Sequence, residues 1–129
     1  MNRSSLLLAL LTIFHLAYAR DDIVLHITSL VPNDPPLQFL CHLKDFDFGP
    51  YSLSKDQERQ MKLAPTNITD AVTLFCNFTW GHKVKNFAVY DKNINAYCEG
   101  SYDCYWEARP DGFYLSKNNS TWKKFNTWT

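Results

Sequence analysis

Apolar and polar residues alternate along several short segments of the chain. Leu37, Phe39, Cys41 and Leu43 form one apolar series, Val72, Leu74, Cys76 and Phe78 a second, and Cys104, Trp106 and Ala108 a third. A period of two sends successive side chains to opposite faces of a strand, so each series predicts a half-buried strand. In all three the cysteine falls on the apolar side, where a disulfide between strands or sheets would lie. Asn77 falls on the other face, with Thr73, and points to water. Further strands are predicted at Ile23–Leu30, Val84–Tyr90, Gly112–Ser116 and Thr121–Trp128, and Pro110-Asp111-Gly112 predicts a hairpin turn. Ser54–Leu63 has no apolar stripe at helical spacing and predicts an edge strand or a loop.

Turn formers punctuate these segments at Pro32–Pro36, Gly49-Pro50, Pro65–Asn67, Gly81, Gly100, Pro110–Gly112 and Asn118-Asn119. About seven to eight short strands with no strong helix predict an all-β fold, a small antiparallel β-sandwich. The chain has no repeat, low-complexity tract or linker, so one domain is expected.

The N-terminus departs from this alternation. Arg3 precedes a largely apolar run from Leu6 to Leu16, followed by small residues at Ala17 and Ala19. Those three parts predict a signal peptide at residues 1–19, cleaved after Ala19, and a mature domain at residues 20–129. The apolar run is about half of the roughly 20 residues that a spanning helix needs, so no membrane insertion is expected and the protein is expected to be secreted and extracellular.

Without the leader, 110 residues carry 12 Lys and Arg against 13 Asp and Glu, a net charge of −1. Nucleic acids and anionic membranes are bound through clustered positive charge, so neither is an expected partner.

The four cysteines, Cys41, Cys76, Cys98 and Cys104, all follow the leader. An even count in a small exported chain predicts two disulfides. Zinc fits poorly, because its ligands come in close pairs, whereas 34, 21 and 5 residues separate these cysteines and His26, His42 and His82 are equally scattered. Three pairings are open; the nested one, Cys41 with Cys104 and Cys76 with Cys98, is the favoured expectation. Each closed loop is worth roughly 3 to 4 kcal/mol in the chain-entropy model. Sequons stand at Asn67, Asn77, and the overlapping Asn118 and Asn119, so a glycoprotein is expected.

Asp47-Phe48-Gly49 spells a kinase triplet in a chain far too short for a kinase. Asp45 and Asp47 open no calcium loop, since the sixth position is Pro50 where Gly is needed and the twelfth is Asp56 in place of Glu. No nucleophile block is present, so neither enzyme activity nor a cofactor or metal is expected. Tyr97, Tyr102, Tyr105 and Tyr114 cluster near the last strands and offer a candidate contact surface.

Together the blocks resemble the plant self-incompatibility S-protein homologues. The resemblance is carried by Cys98, then Cys104-Tyr105-Trp106, then Asp111-Gly112-Phe113-Tyr114. It extends upstream to Leu40-Cys41, the run Lys44–Gly49, Thr73–Cys76 and Trp80, and covers roughly Ile23–Trp128. Thr28 and Leu43 stand where that family often has Asn and Ser. The resemblance implies a secreted, non-catalytic protein that acts as a ligand for a cell-surface receptor, as in self-incompatibility or related cell-cell signalling. A monomer is expected. Loops are the expected contact surface on such a scaffold, with Asp45, Asp47, His82, Lys83, Glu99, Tyr102 and Asp103 as candidates. The alternative is a cell-wall carbohydrate-binding or defence protein, suggested by the aromatic content.

Overall fold

The computed structural model describes residues 23–63, 73–99 and 102–129. The expected leader, the Asn67 sequon and Val72 lie outside the described residues. The strands are β1 (Ile23–Ser29), β2 (Leu37–Leu43), β3 (Phe46–Leu53), β4 (Glu58–Leu63), β5 (Leu74–Trp80), β6 (Lys83–Tyr90), β7 (Asp103–Arg109), β8 (Gly112–Ser116) and β9 (Lys123–Asn126). A helix, α1 (Lys92–Tyr97), joins β6 to β7. The strands form two sheets, one ordered β4-β1-β7-β8-β9 and the other β3-β2-β5-β6. Every pairing is antiparallel except β1 with β7, which run parallel.

The alternation seen in the sequence is what packs these sheets together. β2 buries Leu37, Phe39, Cys41 and Leu43, β5 buries Leu74, Cys76 and Phe78, and β7 buries Cys104, Trp106 and Ala108. Aromatic rings meet between the sheets: Phe78 with Phe113 at 4.9 Å, Phe87 with Phe113 at 4.9 Å and Phe87 with Trp106 at 5.1 Å. Such tilted and edge-on contacts add to the burial of large apolar surfaces. Trp106 keeps its indole satisfied in the core by donating to the Val89 carbonyl at 2.9 Å.

Both disulfides form, but not in the nested pairing. Cys41 is bonded to Cys76 and Cys98 to Cys104. Cys41 and Cys76 face each other on neighbouring strands of one sheet, with Cα atoms 4.0 Å apart. Cys104 lies in the other sheet, where its partner is Cys98 and not Cys41. Cys98 at the end of α1 meets Cys104 at the start of β7, with Cα atoms 5.9 Å apart.

Two elements depart from the sequence expectation. Asp47, expected in a loop with Asp45, lies in β3, an edge strand whose residues, Leu53 apart, are exposed or half-buried and so show no clean alternation. The helix α1 is capped by Asp91, whose Oδ1 accepts from the Ile94 amide at 2.8 Å, and it buries only Ile94. Beyond β9 the chain crosses to the other sheet. Trp128 packs on Phe113 at 4.6 Å and Trp80 at 6.0 Å, and the Thr129 amide donates to the Val84 carbonyl at 2.9 Å. That crossing covers part of the β6 edge, which would otherwise offer unpaired backbone groups.

Candidate functional site: the outer faces of the two sheets

Because inward positions are filled by the core, the remaining chemistry lies on the outer faces and at the ends. On the five-stranded sheet, β7 turns Asp103, Tyr105, Glu107 and Arg109 outward in succession. The register places Tyr105 between His26 and Ser116, and Glu107 between Thr28 and Tyr114.

His26 joins three strands on this face. Its Nδ1 contacts Glu58 of β4, its Nε2 lies 2.7 Å from Asp103 of β7, and its ring stacks on Tyr105 with centroids 4.3 Å apart. Burial, then the charges of Asp103 and Glu58, push the Tyr105 hydroxyl above its ordinary range.

Arg109 is held equally firmly. Its Nε and Nη2 donate to Glu107 Oε1 at 3.0 and 2.8 Å, and its guanidinium lies 3.8 Å over the Tyr114 ring and 5.6 Å from the Trp122 ring. Tyr114 in turn donates to Asp111 at 2.6 Å, and Lys124 approaches the same carboxylate at 3.4 Å. The Tyr114 hydrogen bond, then Lys124, hold Asp111 below the usual carboxylate range, and the same hydrogen bond raises Tyr114. A planar cation fixed over an aromatic ring presents charge and apolar area together, with little conformational freedom left to lose on binding.

The seven candidates read from the sequence are not brought together. Asp45 sits in the β2–β3 turn, and Asp47 accepts from His42 Nδ1 at 2.6 Å. Glu99, Tyr102 and Asp103 lie at that same end, where α1 follows β6 and the Cys98–Cys104 bond ties it to β7. Tyr102 is 47% exposed, whereas Asp103 is engaged with His26. His82 and Lys83 lie at the opposite end, in the β5–β6 turn, where Lys83 donates to the Pro110 carbonyl at 3.3 Å. There, with Asp34, Pro35, Trp80 and Gly81, they line an open cleft of about 230 Å³.

Arg109, Glu107 and Trp122 were missed by the sequence reading. Their outward parity on β7 was legible for Arg109 and Glu107, but their meeting with Tyr114 depends on the β7–β8 register. Of the sequons, Asn77 lies half-buried on the outer face of the four-stranded sheet, with Nδ2 3.2 Å from His42 Nε2. Asn118 Oδ1 accepts from the amides of Ser120 and Thr121 at 3.0 and 2.9 Å, and Asn119 has φ +60°. Among the described residues, no group of three or more His, Cys, Asp and Glu side chains is placed to hold a metal ion. No described helix is long and apolar enough to cross a membrane.

The family model described as plant self-incompatibility protein S1 matches residues 24–128. A solved structure of a self-incompatibility protein homologue has a similar fold. It is described as belonging to a widespread family of small, highly stable, secreted proteins from plants. The two agree with a TM-score of 0.64 over 84% of this chain and 95% of that one, at 18% sequence identity. No curated protein matches the chain.

Proposed function

The chain belongs to the plant self-incompatibility protein S1 family, and on that premise we propose that it is a secreted plant ligand recognised by a cell-surface receptor, acting by binding and not by catalysis. The observation that carries this reading is the patch of Arg109, Tyr114 and Trp122 on the five-stranded sheet. Arg, Tyr and Trp dominate the energetics of protein interfaces, and here β7, β8 and a stacked ion pair fix Arg109 and Tyr114 before any partner arrives. Tyr105, further along the same strand face, extends the surface.

Binding of labelled, oxidised protein to intact plant cells and their membranes, reproductive tissue included, tests the proposal. Saturable binding that unlabelled protein competes is expected, and Arg109→Ala should weaken it by about tenfold or more, the usual loss at a central anchor. An unchanged affinity for Arg109→Ala would remove this patch from the contact surface.

A second reading, binding of cell-wall carbohydrate, is favoured by the cleft beside Trp80. The Lys83 ammonium lies 5.4 Å from the Trp80 ring, which leaves an aromatic surface next to polar groups. Retention on wall polysaccharide that is lost in Trp80→Ala, without saturable membrane binding, would favour it over the receptor reading.

A further inference from the structure

We infer that Asn77 carries an N-linked glycan whose first N-acetylglucosamine lies on the ring of Phe75, so that sugar covers the outer face of the four-stranded sheet. The inference rests on the secretory reading above, because sequons are modified in chains that enter that pathway.

β5 buries Leu74, Cys76 and Phe78 and turns Phe75, Asn77 and Thr79 outward. Asn77 and Thr79 are the two recognition residues of the sequon, and Phe75 is 39% exposed beside them. Alternate residues of a strand stand about 6.8 Å apart, within reach of a sugar ring bonded to the amide nitrogen. The register flanks Phe75 with His42 and Ala88, Asn77 with Leu40 and Asn86, and Thr79 with Gln38 and Val84. No long charged side chain stands among these six, so a flat ring has room to lie down. One face of a pyranose is lined with C–H groups, which suit the negative face of an aromatic ring, and covering Phe75 removes apolar surface from water.

In the folded sheet His42 holds the amide. With its Nδ1 proton donated to Asp47 at 2.6 Å, its Nε2 accepts from Asn77 Nδ2 at 3.2 Å. In glycosylation the amide nitrogen bonds to C1 of the sugar of a lipid-diphosphate-linked oligosaccharide. The C1–O bond breaks, the diphosphate leaves with the electron pair, and one amide proton is lost. The nitrogen keeps one N–H, which remains a donor for His42. The other described sequons lack such a platform, since Ser116 and Lys117 hold the positions two before Asn118 and Asn119.

The test expresses the full chain in plant cells as wild type, Thr79→Val, Phe75→Thr and the double variant. Glycopeptide mass spectrometry reads occupancy, and thermal unfolding reads stability. Unglycosylated refolded counterparts subtract the intrinsic effects of the substitutions. Asn77 is expected to be occupied in the secreted wild type, and loss of its glycan through Thr79→Val should lower Tm by about 4 °C. In the Phe75→Thr background the same loss should shift Tm by less than half as much. Sugar C–H resonances displaced by the ring current of Phe75 give a readout independent of stability. A secreted chain modified at Asn118 or Asn119 but bare at Asn77 overturns this inference alone, as does an occupied Asn77 whose sugar shows neither coupling to Phe75 nor displaced resonances. A chain retained inside the cell overturns the secretory reading and this inference with it.

Discussion

Gly112 shows how much one residue type can be dictated by a neighbouring strand. Its φ is +149°, and a Cβ there would lie 2.1 Å from the Asn126 carbonyl oxygen, so β9 can pair with β8 only because the position is glycine. Gly81, at φ +61°, has only Pro35 within 3.7 to 3.8 Å of such a Cβ. Gly112→Ala is therefore expected to cost about 3 kcal/mol, since strain and overpacking act together, and Gly81→Ala about 1 kcal/mol. Urea midpoints measure both, and equal losses would show that the close approach of β9 is immaterial. Tyr90 makes a pH-dependent contribution. It is 2% exposed and donates to Asn95 at 2.6 Å, and burial pushes its hydroxyl from 10.0 up to about 12. The unfolded chain thus loses this proton first. The contribution is complete below pH 10 and falls by about 1.4 kcal/mol per pH unit as pH rises toward 12. Tyr90→Phe should flatten the loss of stability over that window, and an equally steep loss in the variant would assign it to other groups. At this scale the sequence was a good guide to Trp106, a core ring on the apolar side of its strand. It was a poorer one for Asp103, whose place beside His26 depends on β1 pairing with β7.

Among the elements, legibility followed burial on one face. β2, β5 and β7 each bury alternate residues and were plain in the sequence; β8 matched its expected bounds, Gly112–Ser116. β3 was hidden because an edge strand that buries little leaves no alternation, and Gly49-Pro50 within it reads as a turn. α1 was hidden by its length of six residues, although Asp91 three before Ile94 was a usable cap. The disulfide pairing could not be read at all, because it depends on which strands are neighbours across the sheet. The observed pairing has a thermodynamic consequence. Cys41–Cys76 closes a separation of 35 residues and Cys98–Cys104 one of 6. In the chain-entropy model these are worth about 3.8 and about 2.2 kcal/mol. Replacing the first pair by alanine should therefore lower stability more than replacing the second. Denaturant midpoints in the reverse order would show that anchoring α1 to β7 matters more than loop length.

For the molecule as a whole, the aromatic contacts between sheets leave one core and no plane along which it could divide. Unfolding is expected to be a single transition, with near-ultraviolet signal from buried rings such as Trp106 and far-ultraviolet strand signal lost together. Separate midpoints would mean that one sheet persists without the other. The proposed contacts divide the outside, with a receptor patch on the five-stranded sheet and sugar on the four-stranded one. The parallel pairing of β1 with β7 also sets a schedule. The first strand is made some 80 residues before its partner begins at Asp103, a delay of about 4 to 16 seconds at ordinary rates of synthesis. Leu25 and Ile27 must wait through it with that edge of β1 unfilled, while β2 and β5 can already meet and bring Cys41 to Cys76. The oldest strand can thus close one edge on β4 as soon as Leu63 is made, and the other only when β7 follows.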